Sequence, residues 1–445
     1  MEAKDLFITP IFLLIVFSMA YFLRPLFTDN YSKKYFLPAL ALKVFGAIFL
    51  GIIYQFYYQG GDTYTYFTHG SSHIWNAFLD SPALGFKLIF AGKEYMPETF
   101  IYARKIWTFG DIPSYFVVRV AGLFGLITFN TYSATAVLFA VLSFSGIWAL
   151  FQVFYKYYPQ LHFEMAIACL FIPSVFFWGS GILKDTLTLG AVGWITWSVY
   201  RIFICKKNIL PNAVLFLVAF YIIYVVKIYI LLCLLPALLL WVSMQYLKSI
   251  NNAIIRWSFA PLMLFMVAAG GYYAIQKIGE ENSRYNLDQL SMTAEATARW
   301  IHFVSERDGG SGYSLGDYDY SAAGIIKKAP KAIWVSLYRP YLWEVRNPVM
   351  FMSAIESLAF LLFTLYVLII GGWKKVIPLV NKPMGAFCLV FAISFAFAVG
   401  LTTYNFGSLV RYKIPMLPFF AAFLFLLHYN VKRSKKVSRQ AITEY

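Results

Sequence analysis

Residues 357–372 read SLAFLLFTLYVLIIGG and contain no charged side chain. A comparable uncharged stretch, SFAPLMLFMVAAGGYYA, occupies residues 258–274. A helix of about 20 apolar residues spans the roughly 30 Å hydrocarbon core of a bilayer and satisfies its backbone polar groups internally. Both stretches therefore predict membrane-spanning helices rather than the helices of a soluble domain.

The composition of the whole chain indicates the same class. Hydrophobic residues make up 60% of the 445 residues and charged residues only 13%, whereas a soluble domain is about 25% charged. The predicted fold is an all-α polytopic membrane protein with about eleven spans, in a range of about 10 to 13. The spans are expected near residues 6–23, 35–54, 133–155, 164–181, 186–204, 209–226, 229–248, 256–274, 352–372, 384–403 and 412–430.

The basic residues predict how these spans are oriented. The formal net charge is +16, but short Lys/Arg clusters beside apolar spans are typical of cytoplasmic loops rather than of a nucleic-acid partner, and none is predicted. Such clusters lie at residues 24–34, 206–207, 374–375 and 432–439. We therefore expect a multi-pass protein of a bacterial cytoplasmic (inner) membrane, with its N-terminus outside and its C-terminus in the cytoplasm.

The domain prediction is a single transmembrane domain over residues 1–445, ending in a basic cytoplasmic tail at 431–445. Two long loops are expected on the outer face, at 55–132 and 275–350. The segment 113–131 is apolar enough to be a twelfth span, which would reverse the side of the first loop. Because it carries Arg119, we expect an interfacial or partly inserted helix there.

No metal site is predicted. The four cysteines and five histidines are scattered, and no CxxC spacing occurs, so small buried cysteines without disulfides are expected. No cofactor is expected either, and a requirement for a divalent cation stays open.

Polar clusters at the predicted span ends carry the functional hypothesis, because charges are costly within the membrane. The first, QGGDTYTYF at residues 59–67, places Asp62 and Tyr66 just after the second span. Asp62 is interpreted either as the N-cap of a following helix or as a general base toward an acceptor hydroxyl. The second, PSVFFWGSGILKD at 173–185, offers Lys184 and Asp185 as an interfacial ion pair or as part of a phosphate site.

Two further clusters lie before the ninth span and at the last span. LYRPYLWE at residues 337–344 places Arg339 and Glu344 within one aromatic run, and YNFGSLVRYKIPMLP at 404–418 contains Asn405 and Arg411. Arginine suits bidentate contact with phosphate oxygens. Two more predicted outer-face cations are Lys227 and Arg119. Together, one aspartate and several cations predict a site for a hydroxyl acceptor and a phosphate-bearing donor.

These residues resemble the GT-C superfamily of integral membrane glycosyltransferases, which use polyprenyl-phosphate sugars at the outer face. The similar features are Gly61-Asp62 in an early outer loop, Pro173, Ser180 and Asp185 in a middle helix pair, and Arg411-Tyr412, Pro415 and Pro418 in the last span. The resemblance implies that Asp62 is the catalytic base and that Lys184 and Arg411 bind the donor phosphate. It also implies a polyprenyl-phosphate-linked sugar and membrane lipid as partners.

Two other classes remain open. The pattern Gly-x-Asp-Thr-x-x-Tyr is also similar to polysaccharide polymerases or ligases of the Wzy/EpsG type, which would make a ladder of repeats rather than add one sugar. A transporter of lipid-linked sugars would require charges near the bilayer midplane, and Lys43 within the second span is the candidate. The sugar, the acceptor and the oligomeric state do not follow from the residues.

Overall fold

The computed structural model describes residues 2–90, 92, 94–249, 311–316 and 322–443. Over these residues the chain is helical without any strand, and one isolated antiparallel bridge joins Gly312 to Asn405. The chain divides into two compact units. Unit 1 comprises Met1–Ser198 and Asn208–Ile228, and unit 2 comprises Val199–Lys207 and Tyr229–Tyr445.

The helices of unit 1 include both long apolar spans and short connecting turns. Their bounds are α1 Asp5–Phe27, α2 Lys33–Ile52, α3 Asp62–Tyr66, α4 Ser72–Asp80, α5 Pro82–Phe90, α6 Phe100–Ala103, α7 Ile112–Thr128, α8 Tyr132–Tyr157, α9 His162–Ala166, α10 Pro173–Trp178 and α11 Lys184–Val199. α2 packs against α8 and α10, and α8 also packs against α1.

Glycine allows α8 and α11 to cross at close range. A Cβ atom built on Gly146 would lie 2.0 Å from the carbonyl oxygen of Gly190, and one built on Gly193 would lie 1.9 Å from the carbonyl oxygen of Gly146. Such contacts are impossible for any other residue. Helices in membranes associate through small residues in this way, because lipid supplies no hydrophobic force between them.

The predicted span 164–181 is interrupted rather than continuous. α9 continues as a π-helical turn at Ile167–Phe171, Ile172 is extended, and α10 begins at Pro173. Proline disfavours a helical conformation in the residue before it, which explains the break.

Lys43 donates hydrogen bonds to carbonyl oxygens at the C-terminal end of α10. Its buried Nζ donates hydrogen bonds to the carbonyl oxygens of Gly179 at 2.6 Å and Val175 at 3.2 Å, and to Ser143 Oγ at 3.1 Å. The terminal carbonyls of a helix have no partner within the helix, so the ammonium supplies one. The charge proposed for a transport pathway therefore has a local structural role.

The apolar segment 113–131 coincides largely with α7. Asp111 is the N-cap and accepts a hydrogen bond from the amide of Ser114, and Phe129 ends the helix in a left-handed conformation. At about 1.5 Å per residue, its 17 residues cover roughly 25 Å, less than the hydrocarbon core requires. Whether α7 lies at the interface stays a prediction.

α12, Ile209–Ser249, contains a break at Lys227, whose φ of −150° and ψ of 73° are not helical. The break falls between the predicted spans 209–226 and 229–248, and unit 1 ends one residue later. The two predicted spans are thus joined as one kinked helix, and their separate crossing of the membrane stays a prediction.

Unit 2 contains α13 Ala322–Tyr338, α14 Pro348–Gly371, α15 Val376–Val380, α16 Pro383–Thr402, α17 Phe406–Tyr412 and α18 Leu417–Thr443, together with Tyr229–Ser249 of α12. α16 packs against α13 and α18. Aromatic rings fill this core: Trp241 stacks on Phe387 with centroids 4.8 Å apart, and Phe391 meets Phe419 at 4.6 Å. The predicted span 412–430 lies largely in α18 and begins at a bend, since α17 and the following helix meet at 68°.

Seven helices in the described part of the chain are long and apolar enough to cross a membrane, and the bent pair Phe406–Tyr412 and Leu417–Arg433 makes an eighth if it is one span. The seven are Asp5–Phe27, Lys33–Tyr57, Tyr132–Tyr157, Lys184–Ile204, Ile209–Leu247, Pro348–Gly371 and Pro383–Thr402. The all-α, multi-pass class is thus supported. The total of about eleven stays a prediction, since the expected span 256–274 lies outside the described residues.

Candidate functional site

Asp62 follows an irregular end of the second span. α2 continues as a π-helical turn at Ile53–Tyr57, and Gln59, Gly60 and Gly61 then all have positive φ, of 53°, 143° and 112°. Gly61 occupies the N-cap position and Asp62 is the first residue of α3, so the interpretation of Asp62 as the N-cap is wrong. The carboxylate is exposed. Its charge is favourable in the first turn of a helix.

Tyr132 holds the turn that carries Asp62. The Tyr132 hydroxyl is hydrogen-bonded to Thr63 Oγ1 at 2.7 Å, and its ring stacks on Tyr64 with centroids 4.5 Å apart and an interplanar angle of 12°. Tyr64 in turn donates its hydroxyl to Gln55 Oε1 at 3.0 Å. The two residues that follow Asp62 are thus fixed on the buried first residue of α8.

A second carboxylate, Asp5, interacts with residues on both sides of this contact. It is buried and accepts hydrogen bonds from the amides of Ser133 at 2.8 Å and Glu2 at 2.7 Å. Burial raises the pKa of Tyr64, and the charge of Asp5 raises it further. Asp5 therefore anchors the N-terminus of α8, and with it Tyr132.

Lys184 forms an ion pair with Asp111 at 3.3 Å. Asp111 is the N-cap of α7, so the pair joins the beginnings of α7 and α11. Burial raises the pKa of Asp111, but hydrogen bonds from Ser114 and the charge of Lys184 outweigh burial, and the pKa lies below its ordinary value. The Asp111 side chain is 54% exposed, so the pair is accessible to solvent and to an anionic ligand.

Asp185 points to a different partner. Its carboxylate accepts a hydrogen bond from Lys227 Nζ at 2.5 Å, and both side chains are buried. Lys227 is the residue at which α12 is interrupted. A buried charge needs an opposite charge and further hydrogen bonds, so this pair connects the start of α11 to the break in α12.

The other two predicted residues of unit 1 lie on separate elements. The Arg119 guanidinium lies over the ring of Tyr115 at 4.6 Å. Burial raises the pKa of Tyr115 to about 12, although Arg119 opposes the rise. Tyr66 is buried at the end of α3, so its side chain supports the turn rather than facing solvent with Asp62.

In unit 2, Arg339 and Glu344 form a bidentate ion pair, with one bond from Nε to Oε2 at 3.0 Å and a second from Nη2 to Oε1. The guanidinium also lies over the rings of Phe406 at 4.8 Å, Tyr341 at 5.6 Å and Tyr313 at 5.8 Å. The Arg339 side chain is only 18% exposed. This pair organises the short connection between α13 and α14.

Asn405 and Arg411 both belong to the bent segment before the last helix. Asn405 is the N-cap of α17, where its Oδ1 accepts a hydrogen bond from the amide of Ser408. Arg411 lies in the last turn of α17 and is half-buried. Two residues on, the buried Lys413 donates hydrogen bonds to Ser357 Oγ at 2.9 Å and to the Arg339 carbonyl oxygen at 3.1 Å.

Of the predicted site residues, the structure pairs Asp185 with Lys227 and Arg339 with Glu344. Lys184, next to Asp185 on α11, pairs instead with Asp111. Asp62 lies on α3, and Arg339, Glu344, Asn405 and Arg411 belong to unit 2. Four residues that hold these elements were not among the predicted site residues: Asp5, Asp111, Tyr132 and Lys413. Only Asp111 has a sequence signal, because Asp two residues before Pro113 is typical of a helix start.

Within the described residues, no group of three or more His, Cys, Asp or Glu side chains could hold a metal ion. No protein-family model matches the chain, and neither a curated protein nor a solved structure is detectably similar to it.

Proposed function

We propose that the protein is a membrane glycosyltransferase. It would move a sugar from a polyprenyl-phosphate donor to an acceptor hydroxyl at the outer face of a bacterial cytoplasmic membrane, in the synthesis of a surface polysaccharide or glycan. The observation that supports this proposal most directly is the exposure of Asp62 on a short helical turn whose next two residues are held by Tyr132, just after a candidate span. A general base needs this combination of access and fixed position.

The proposed transfer is a single displacement. The acceptor oxygen attacks the anomeric carbon while Asp62 takes its proton, so a new glycosidic bond forms. The bond between the anomeric carbon and the phosphate oxygen breaks, and polyprenyl phosphate leaves with the electron pair. A cation near the leaving group stabilises its negative charge.

Lys184 is the cation of unit 1 that suits this role. The Lys184 side chain is 22% exposed and that of its partner Asp111 is 54% exposed, so a phosphate can approach the pair from the Asp111 side. Exposed ion pairs contribute little stability, which makes an exchange of Asp111 for phosphate inexpensive. Arg411 stays a predicted phosphate ligand on the resemblance alone.

The Asp62→Asn variant tests the proposal. We expect transfer to fall by roughly 10²–10⁴-fold, because the amide cannot accept the acceptor proton. The measurement is transfer of ¹⁴C-labelled hexose from undecaprenyl-phosphate glucose, galactose and mannose to acceptors in membrane fractions. Asp80→Asn is the matched control, because Asp80 lies in the same predicted outer loop and accepts a hydrogen bond from Tyr102, a bond that the amide oxygen can keep.

Undiminished transfer by Asp62→Asn, at unchanged expression, would reject Asp62 as the base. No transfer from any of the three donors by the unaltered protein would contradict the donor assignment. A ladder of products in place of one added sugar would favour a polymerase instead.

A further inference from the structure

Two tyrosine rings at the end of α2 form an exposed aromatic surface, here called the Tyr57–Tyr58 platform. The Tyr57 side chain is 52% exposed and Tyr58 is 42% exposed. Their ring centroids lie 5.0 Å apart, in an edge-to-face arrangement. The transfer step described above makes no use of these rings.

The buried residue Tyr54 contacts both the platform and Gly61, the residue before Asp62. The centroid of the Tyr54 ring lies 5.3 Å from that of Tyr58 and 6.4 Å from that of Trp178. A Cβ atom on Gly61 would lie only 2.8 Å from the Tyr54 ring, so the glycine backbone lies directly on that ring. Tyr54 therefore fixes both the platform and the residue that precedes Asp62.

The backbone between the platform and Asp62 is held in an unusual conformation. The Gly60 amide donates to the Tyr54 carbonyl oxygen at 2.9 Å, and the Tyr58 amide donates to the Ile53 carbonyl oxygen at 3.0 Å. Gln59 has a φ of 53°, which is uncommon for a residue with a side chain. π-helical turns and such conformations recur at functional sites, where they aim side chains.

We propose that the Tyr57–Tyr58 platform is a stacking subsite for a pyranose ring whose hydroxyl groups face Asp62. This inference rests on the proposed glycosyltransferase function. A pyranose presents weakly positive C–H bonds on one face, which suit the negative face of an aromatic ring, and hydroxyl groups at its rim, which suit a carboxylate. A lipid chain would use the rings but not the carboxylate, so the neighbouring Asp62 favours a sugar.

The test measures binding without catalysis. The protein in nanodiscs is mixed with methyl α-D-glucopyranoside, galactopyranoside or mannopyranoside, and saturation-transfer NMR reports which sugar protons lie on the protein. We expect saturation of the ring C–H protons of at least one glycoside, and about tenfold weaker binding in Tyr58→Leu. Tyr58→Phe keeps the aromatic ring, so its affinity for the glycoside should fall much less.

Tyr31→Leu is the matched control, because Tyr31 is a tyrosine 62% exposed in the loop before α2. Equal binding by Tyr58→Leu and the unaltered protein would overturn the platform, as would no saturation of any of the three glycosides. It would then be an interfacial anchor only. If Asp62→Asn still transfers sugar while Tyr58→Leu loses binding, the assignment of the base fails and the subsite stands.

Discussion

Tyr132 illustrates how one buried hydroxyl can set the position of the proposed base. Its bond to Thr63 and its stacking on Tyr64 act on the two residues after Asp62. Neither contact involves the carboxylate itself, so Tyr132 is a positioning residue. Asp5 extends this support, because it binds the amide of Ser133 next to Tyr132.

The Tyr132→Phe variant should separate positioning from stability. It removes only the hydroxyl, so the ring stack remains while the α3 turn loses one restraint. We expect transfer to fall about tenfold to hundredfold with little change in KM, since small displacements of a catalytic group are costly. Steady-state kinetics give kcat and KM separately for the variant. The donor is an undecaprenyl-phosphate hexose that the unaltered protein accepts.

Tyr35→Phe is the control for this prediction. Tyr35 is also buried and hydrogen-bonded, to His162 Nδ1 at 2.8 Å, near the other end of α2. Both variants should lose a similar stability of about 1 kcal/mol, as for a typical hydrogen bond. Equal transfer rates in the two variants would show that the Tyr132 hydroxyl has no positioning role.

At the scale of the elements, α11 begins where two ion pairs meet. Lys184 connects it to the start of α7, and Asp185 connects it to the break in α12. The first pair is partly exposed and the second is buried, so the two pairs are expected to contribute differently to stability. Accessible pairs contribute little to stability, whereas breaking a buried pair leaves an uncompensated charge.

The Asp185–Lys227 pair should therefore show strong coupling. Either Asp185→Asn or Lys227→Met alone is expected to lower the free energy of unfolding by about 3–5 kcal/mol, because it strands the partner charge. The double variant should recover much of that loss. Unfolding in mixed micelles with increasing SDS is followed by tryptophan fluorescence. It gives the free energy of unfolding of the two single variants and of the double variant.

Lys87→Met provides the comparison, because Lys87 pairs with Glu98 and both side chains are largely exposed. It should change the unfolding free energy little. Additive losses in the Asp185→Asn, Lys227→Met double variant would mean that the pair does not act as a unit.

For the whole molecule, the proposed reaction depends on which side of the membrane Asp62 faces. Cysteine labelling tests this in a background where the four native cysteines are replaced by alanine. We expect Thr68→Cys to react with a membrane-impermeant maleimide in intact cells. Lys34→Cys should react only after the cells are broken, because basic loops stay in the cytoplasm.

The opposite pattern would place the Asp62 loop in the cytoplasm, as expected if residues 113–131 cross the membrane. Transfer at the outer face would then be rejected. Thr68 and Lys34 both lie at the protein surface, so neither target position is in the protein core.

The amino-acid sequence by itself determined the class of the protein and the place of several helices. Lys33–Tyr57, Tyr132–Tyr157 and Pro383–Thr402 were predicted within a few residues, because apolar length is a local property. The pairing of Arg339 with Glu344, five residues apart, is similarly local.

Only the tertiary structure decided the partners of the candidate site. Thr63 and Tyr132 are 69 residues apart, Lys184 and Asp111 are 73 apart, and Asp185 and Lys227 are 42 apart. Asp62 itself was singled out from its glycines, but the residues that hold its turn were not. A span needs only enough apolar residues in a row, whereas a side-chain contact depends on how helices distant in the chain pack together.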